Sequence, residues 1–199
     1  MARGRRLAEA ARATLELAGR RGGHRLVAGE RGQLERTGEK GGEQIGPNPT
    51  DRGKAGSKYH VVVDRNGIPL AVHLSAANTH DSTLLVPLVD AIPPIIGPRG
   101  KPGRPRKRPA KLHADKAYDS SDLRRALRAR GITPRIARRG LDSSERLGRY
   151  RWVVERTFSW LLGCRRLGIR YERRADLLQG LLHLTCALLC LHFLPSAVG

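Results

Sequence analysis

The clearest repeat of apolar positions in this chain lies in residues 151 to 162, Arg-Trp-Val-Val-Glu-Arg-Thr-Phe-Ser-Trp-Leu-Leu. No Pro or Gly interrupts it. Val154, Phe158 and Leu161 recur three and four apart, and Trp160 and Leu162 widen the stripe, so a helix is expected. Glu155 falls inside the pattern. Its helical neighbours are Trp152, Phe158 and Ser159, which puts it at the border of the apolar side. Arg151 is four residues earlier, on the same side. A carboxylate at such a border is costly unless a cation or a metal meets it. The plain reading is an Arg151–Glu155 pair at the edge of the core.

A hairpin signal comes earlier. Lys58 to Arg65 and Ile68 to Ser75 are β-rich runs joined by Asn66-Gly67, a hairpin signal with type I′ preference. Pro69 points to an edge or strand-entry position for the second run. Asp81 or Thr79 can cap a helix running to about Ile92, which Pro93-Pro94 would end. Leu112-His-Ala reads as a short buried strand ending at Asp115. Ser120 or Ser121 would cap a helix from Asp122 to Arg130, closed by Gly131, and Ile132 to Ala137 is a further strand. The last run, Leu177 to Leu194, has no Asp, Glu, Lys or Arg. It is near the length of a membrane span, but Gln179, Gly180, His183, Thr185 and His192 interrupt it, which favours a buried C-terminal helix and no membrane. The order is hairpin, helix, strand, helix, strand, helix, helix: an α/β domain with a mixed sheet.

Residues 1 to 56 differ. The first aromatic is Tyr59 and the first Asp is Asp51. Arg5 to Leu17 could form a short helix. The Gly-rich stretch after it has too little apolar material for a core. Residues 1 to 45 are expected to be a poorly ordered basic arm or an unrelated start, ahead of a folded domain over 46 to 195.

Charge narrows the function. The 199 residues carry 38 Lys+Arg against 18 Asp+Glu, a net +20. Such a balance is the footprint of a polyanion binder, most often a nucleic acid; the alternative is an Arg-rich protein whose charge is merely solvated. Aromatics make up only 4%, which speaks against a broad base-stacking platform. Residues 97 to 111, with Arg104, Arg106, Lys107 and Arg108, form a basic Pro/Gly-rich loop that either tracks phosphates or is a solvated linker. Cys164, Cys186 and Cys190 form no CxxC pair and read as buried thiols of a reducing compartment. The basic N-terminus has no apolar run after it, so no signal peptide is expected.

Asp115 stands at the carboxyl end of a strand, where sites of α/β sheets form. Glu155 arrives on a later helix. Two or three carboxylates from separate elements of a very basic protein suit Mg²⁺, with Mn²⁺ as a substitute, acting on a phosphodiester. Spacing alone is weak support for this.

Several stretches together carry a resemblance. They are Gly46-Pro-Asn-Pro-Thr-Asp-Arg-Gly-Lys-Ala-Gly-Ser-Lys-Tyr-His, Asn78-Thr-His-Asp, Ala114-Asp-Lys-Ala-Tyr-Asp-Ser, Arg138-Arg-Gly, Arg151-Trp-Val-Val-Glu-Arg-Thr-Phe-Ser-Trp-Leu and Ile169-Arg-Tyr-Glu-Arg-Arg-Ala-Asp. From about Gly41 to Leu194 the chain resembles the DDE transposases of bacterial insertion sequences, in the insertion-sequence family-five group. The resemblance implies an RNase H-like α/β fold and metal-dependent cutting and joining of DNA by two Asp and one Glu. It implies that Asp115 is the second Asp, that Glu155 is the Glu, and that both are catalytic and metal-holding. Arg151 and Lys116 would meet DNA phosphate, with Arg151 also able to orient Glu155. His80 and Asp81 would act as a cap and loop lock. The partners implied are element ends and target DNA, with a homo-oligomer allowed, in the bacterial cytoplasm at the nucleoid.

The chain also departs from the pattern. The resemblance implies a first Asp on a first strand before Gly41-Gly42. Counting back reaches Gly29 to Leu34, where there is no Asp; Glu30 and Glu35 are the nearby carboxylates. The first strand is therefore expected to be missing or degenerate, as in a truncated or frame-shifted element, and a remnant that binds DNA without cutting it is the alternative function. Gly148 stands where a Tyr is usual, and Ala117 where a Gly is usual.

Overall fold

In a computed structural model, the described residues are 25–31, 42–49, 53–95, 105, 107–138 and 144–193. Six strands form one sheet: β1 (Arg25–Arg31), β2 (Gly46–Pro47), β3 (Ala55–Asp64), β4 (Pro69–Ala76), β5 (Lys111–Ala114) and β6 (Thr133–Ile136). Six helical segments accompany them: α1 (Ser82–Asp90), a 3₁₀ turn (Lys116–Tyr118), α2 (Ser121–Ala129), α3 (Ser144–Gly163), α4 (Arg165–Gly168) and α5 (Ala175–His192). The expected Arg5–Leu17 helix lies outside the described residues.

The long strands lie side by side in the order β4, β3, β1, β5, β6, and β2 pairs with the start of β3. The β1–β3 and β3–β4 pairs are antiparallel; the β1–β5 and β5–β6 pairs are parallel. The fold is thus the expected RNase H-like mixed α/β sheet with flanking helices. One expectation is corrected: a first strand is present. Residues 25–31 are basic and Gly-containing, yet Leu26, Val27 and Ala28 make a short apolar run. They gain backbone pairing from β3 on one side and β5 on the other, and that tertiary pairing outweighs weak local propensity. The sheet therefore reaches back to Arg25, ahead of the boundary expected at residue 45.

The hairpin forms between the two β-rich runs, with a different turn. Gly67 N–H donates to the Asp64 carbonyl at 3.1 Å, and Asp64 N–H to Ile68 O at 3.0 Å. Gly67 has φ +87°, while Asn66 is not among the positive-φ residues. A type I′ turn needs positive φ at both central residues, so this is instead the three-residue loop whose last residue is left-handed. The Asp64 carboxylate decides it, accepting from Asn66 N–H and Ile68 N–H, each at 2.8 Å. Pro69 opens β4, and β4 is an edge strand.

The core has two halves, one on each face of the sheet. Val62, Leu112 and Ala114 face α1 and α2 through Leu85, Leu88, Val89, Leu123 and Leu127. Tyr59, Val61 and Val63 face α3 and α5 through Val153, Val154, Phe158, Leu161, Leu178 and Leu182. The stripe Val154, Phe158, Leu161 is buried as expected, but Trp160 does not widen it: it is 39% exposed, and Val153 and Thr157 are buried instead. Helix α5 was expected to be buried. Only Leu178, Leu182 and Cys186 are, while Leu177, Leu184 and Leu188 are exposed. By length and apolarity α5 is also a helix that could cross a membrane.

The smaller expectations divide. Helix α2 is followed by Gly131 at φ +73°. Asp81 precedes α1 but makes no side-chain cap; it pairs with Lys58 Nζ at 2.9 Å, so it locks the loop to β3. The three cysteines form no disulfide, and burial pushes the Cys186 and Cys190 thiols up to about 12.

Candidate active site

Strand β5 delivers Asp115 to the carboxyl edge of the sheet. The chain turns at once into the 3₁₀ segment, and the Asp115 carboxylate caps that turn by accepting from Ala117 N–H at 2.8 Å. This contact fixes the side chain without spending a charged partner on it. Lys116 beside it is exposed. Asp119, next along, is bound by Arg124 through Nε and Nη2, at 3.1 and 2.7 Å, so it serves the fold.

Helix α3 carries Glu155 on its half-exposed side, and Arg151 Nε is 3.1 Å from Glu155 Oε1. The pair expected from the sequence is therefore formed, with both partners reached by solvent. The residues that follow anchor the helix. Arg156 Nη2 donates to the Asn66 carbonyl at 2.5 Å, and Thr157 Oγ1 donates to the Gly67 carbonyl at 2.8 Å. Arg156 also lies between two indoles, its Cζ 4.6 Å from the Trp152 ring centroid and 4.8 Å from that of Trp160.

The first strand bears on how many carboxylates the site can draw on. In the antiparallel register Gly29 pairs with Val61 and Glu30 with His60. The parallel register pairs Val27 with His113. The strand has no Asp in its sequence, and Glu30 is its carboxylate. Glu35 lies outside the described residues. Among the described residues no three His, Cys, Asp or Glu side chains form a group that could hold a metal ion. Asp115 and Glu155 still have the hard oxygen donors that suit Mg²⁺, which is commonly held by one or two carboxylates together with substrate phosphate.

Of the basic loop, Lys107 and Arg108 are exposed, and Arg108 Nη1 reaches the Arg130 carbonyl at 3.4 Å. Arg104 and Arg106 lie outside the described residues. The sequence reading missed Arg170, which is buried and gathers the carbonyls of Glu172 at 2.8 Å and Glu43 at 2.7 Å together with Ser57 Oγ. A lone Arg in a run of arginines gives no signal of burial. It also missed Arg156, whose signal was its place between Trp152 and Trp160 at helical spacing.

Residues 31–190 match the family model described as "Transposase DDE domain". The chain is 50% identical over 197 residues to the "Putative transposase for insertion sequence element IS402" of Burkholderia cepacia, covering 99% of this chain and 92% of that one. A "Transposase for insertion sequence element IS1106" of Neisseria meningitidis serogroup B is 27% identical over 118 residues, 54% of this chain and 36% of that one. The catalytic core domain of BIV integrase is a distant structural neighbour, with TM-score 0.44 and 13% identity, covering 83% of this chain and 82% of that one. With its motifs in order and a match over most of its length, the chain belongs to the DDE transposases of insertion sequences.

Proposed function

We propose that this transposase cuts and joins DNA strands in a reaction that depends on a divalent metal, with Asp115 and Glu155 as the metal-holding carboxylates. The observation that supports it is the place of Asp115: the acidic residue that leaves the sheet beside β1, held by a backbone N–H within a chain of this family. A divalent cation there would draw charge from the scissile phosphate and lower the pKa of the attacking water. The protein's own groups do the rest. The Ala117 N–H keeps the Asp115 carboxylate oriented. Arg151 holds Glu155 and is exposed enough to meet a phosphate itself. Lys116, Lys107 and Arg108 add positive charge to draw in the DNA backbone. Arg104 and Arg106 extend that run in sequence. Magnesium is the proposed ion, and the cytoplasm, at the nucleoid, the proposed place of action on element ends and target DNA.

A second reading rests on the sequence from Gly29 to Leu34, which holds no Asp. Without that carboxylate the chain would bind DNA and leave it uncut. Nicking of supercoiled plasmid in Mg²⁺, wild type beside Asp115→Asn, separates the two. Metal-dependent nicking that disappears in the variant supports the first reading. Salt-sensitive binding without nicking supports the second.

A further inference from the structure

The outer side of α3 holds a stack that the site does not use. Trp152, Arg156 and Trp160 are four residues apart and follow one another up the helix surface. The Arg156 guanidinium is sandwiched between the two indoles, and Trp160 in turn meets Phe193 edge-to-face, with ring centroids 5.7 Å apart. The layers run Phe193, Trp160, Arg156, Trp152. Arg156 is fixed from behind by its hydrogen bond to the hairpin tip at Asn66, so the stack is rigid. At the Phe193 end the stack is closed. At the other end Trp152 is 50% exposed. Helix side chains lean toward the N-terminus, so Trp152 reaches over the turn that begins at residue 148.

We propose that the open face of Trp152 is a stacking site for one unpaired DNA base. A rigid indole backed by a guanidinium, in a protein of net charge +20, matches a flat π surface carried on a phosphate backbone. Trp152 lies three residues before Glu155 and next to Arg151, so the base would be held beside the groups proposed to act on the strand. That placement rests on the proposed function; the stacking itself does not. The aromatic content is too low for a broad platform, and the site offers room for a single base.

The test uses the full chain in EDTA, where no cleavage can occur, and compares a short oligothymidylate with an abasic strand of the same length. Trp152→Ala should weaken oligothymidylate binding by about 5- to 150-fold, the range for losing one base–aromatic stack. It should leave abasic-strand binding unchanged, and Trp152→Phe should keep most of the affinity, which shows that the helix survives. Intrinsic tryptophan emission should be quenched by oligothymidylate in the wild type and less so in Trp152→Ala. Equal oligothymidylate affinity in Trp152→Ala, or an equal loss on both strands, would overturn the proposal. So would a change in sedimentation with unchanged DNA binding, because Trp152 would then belong to a protein interface. Because nicking is measured separately in Mg²⁺, an inactive chain that still shows the oligothymidylate effect would remove the cleavage reading and leave this one standing.

Discussion

Thr157 reaches across 90 residues of sequence to donate its hydroxyl to the Gly67 carbonyl at 2.8 Å, and this contact seats α3 on the tip of the β3–β4 hairpin. The same hydroxyl is 3.1 Å from the Val153 carbonyl of its own helix. Thr157 is fully buried, so a partner lost here is not replaced by water. Thr157→Val keeps the shape and removes the donor. It should cost about 1–3 kcal/mol, the penalty for a buried carbonyl left unsatisfied, read as a lower midpoint in urea. Thr157→Ser should cost much less.

Gly67 is the other half of that joint. At φ +87° an L side chain is strained, and a Cβ would lie 3.0 Å from Arg156 Nη2 and 3.0 Å from Thr157 Oγ1. Gly67→Ala should destabilise the fold by about 1–3 kcal/mol and loosen α3 together with the hairpin. Hydrogen exchange should show the α3 amides near residue 157 opening sooner, while those of α2 keep their protection.

Arg170 ties the chain at residues 43–44 to β3 and to the turn before α5. It is 2% exposed and its guanidinium is committed to backbone carbonyls and Ser57 Oγ. Arg170→Ala would strand several buried acceptors and should cost upwards of ~2 kcal/mol in chemical denaturation. Arg170→Lys, which cannot fan out its donors, should recover only part of it.

His60 makes stability depend on pH. Burial lowers its pKa from 6.5 to about 4, and its Nδ1 has no hydrogen-bond partner. The unfolded chain therefore binds a proton that the folded one refuses. Stability contributed by the neutral ring is full above pH 6.5 and is lost as pH falls toward about 4, on the order of 3 kcal/mol across the window. Thermal midpoints of wild type and His60→Gln should converge as pH falls through that window. A constant difference would show that His60 does not titrate there.

Much of this fold is legible in the β-rich run Tyr59 to Val63, which is buried on both faces of the sheet, and in the three-and-four spacing of Val154, Phe158 and Leu161, which marks the one face of α3 that meets the core. Strand β1 is not legible, because its sequence reads as polar coil; its pairing partners lie more than 25 residues away in sequence. Trp152 and Trp160 mislead for a related reason. Large aromatics count as core in a periodicity argument, but here Arg156 holds both on the outside. Asp115 could be located from its place after a short apolar strand. That Glu30 lies on a strand could be learned only from the register of β1 against β3.

Binding of Mn²⁺ by titration calorimetry, for wild type, Asp115→Asn and Glu155→Gln, tests the metal-holding role of this pair most directly. Binding by the wild type that is lost in each variant, with thermal midpoints unchanged in metal-free buffer, is the predicted result. Equal Mn²⁺ binding by all three proteins, or none by the wild type, would contradict it.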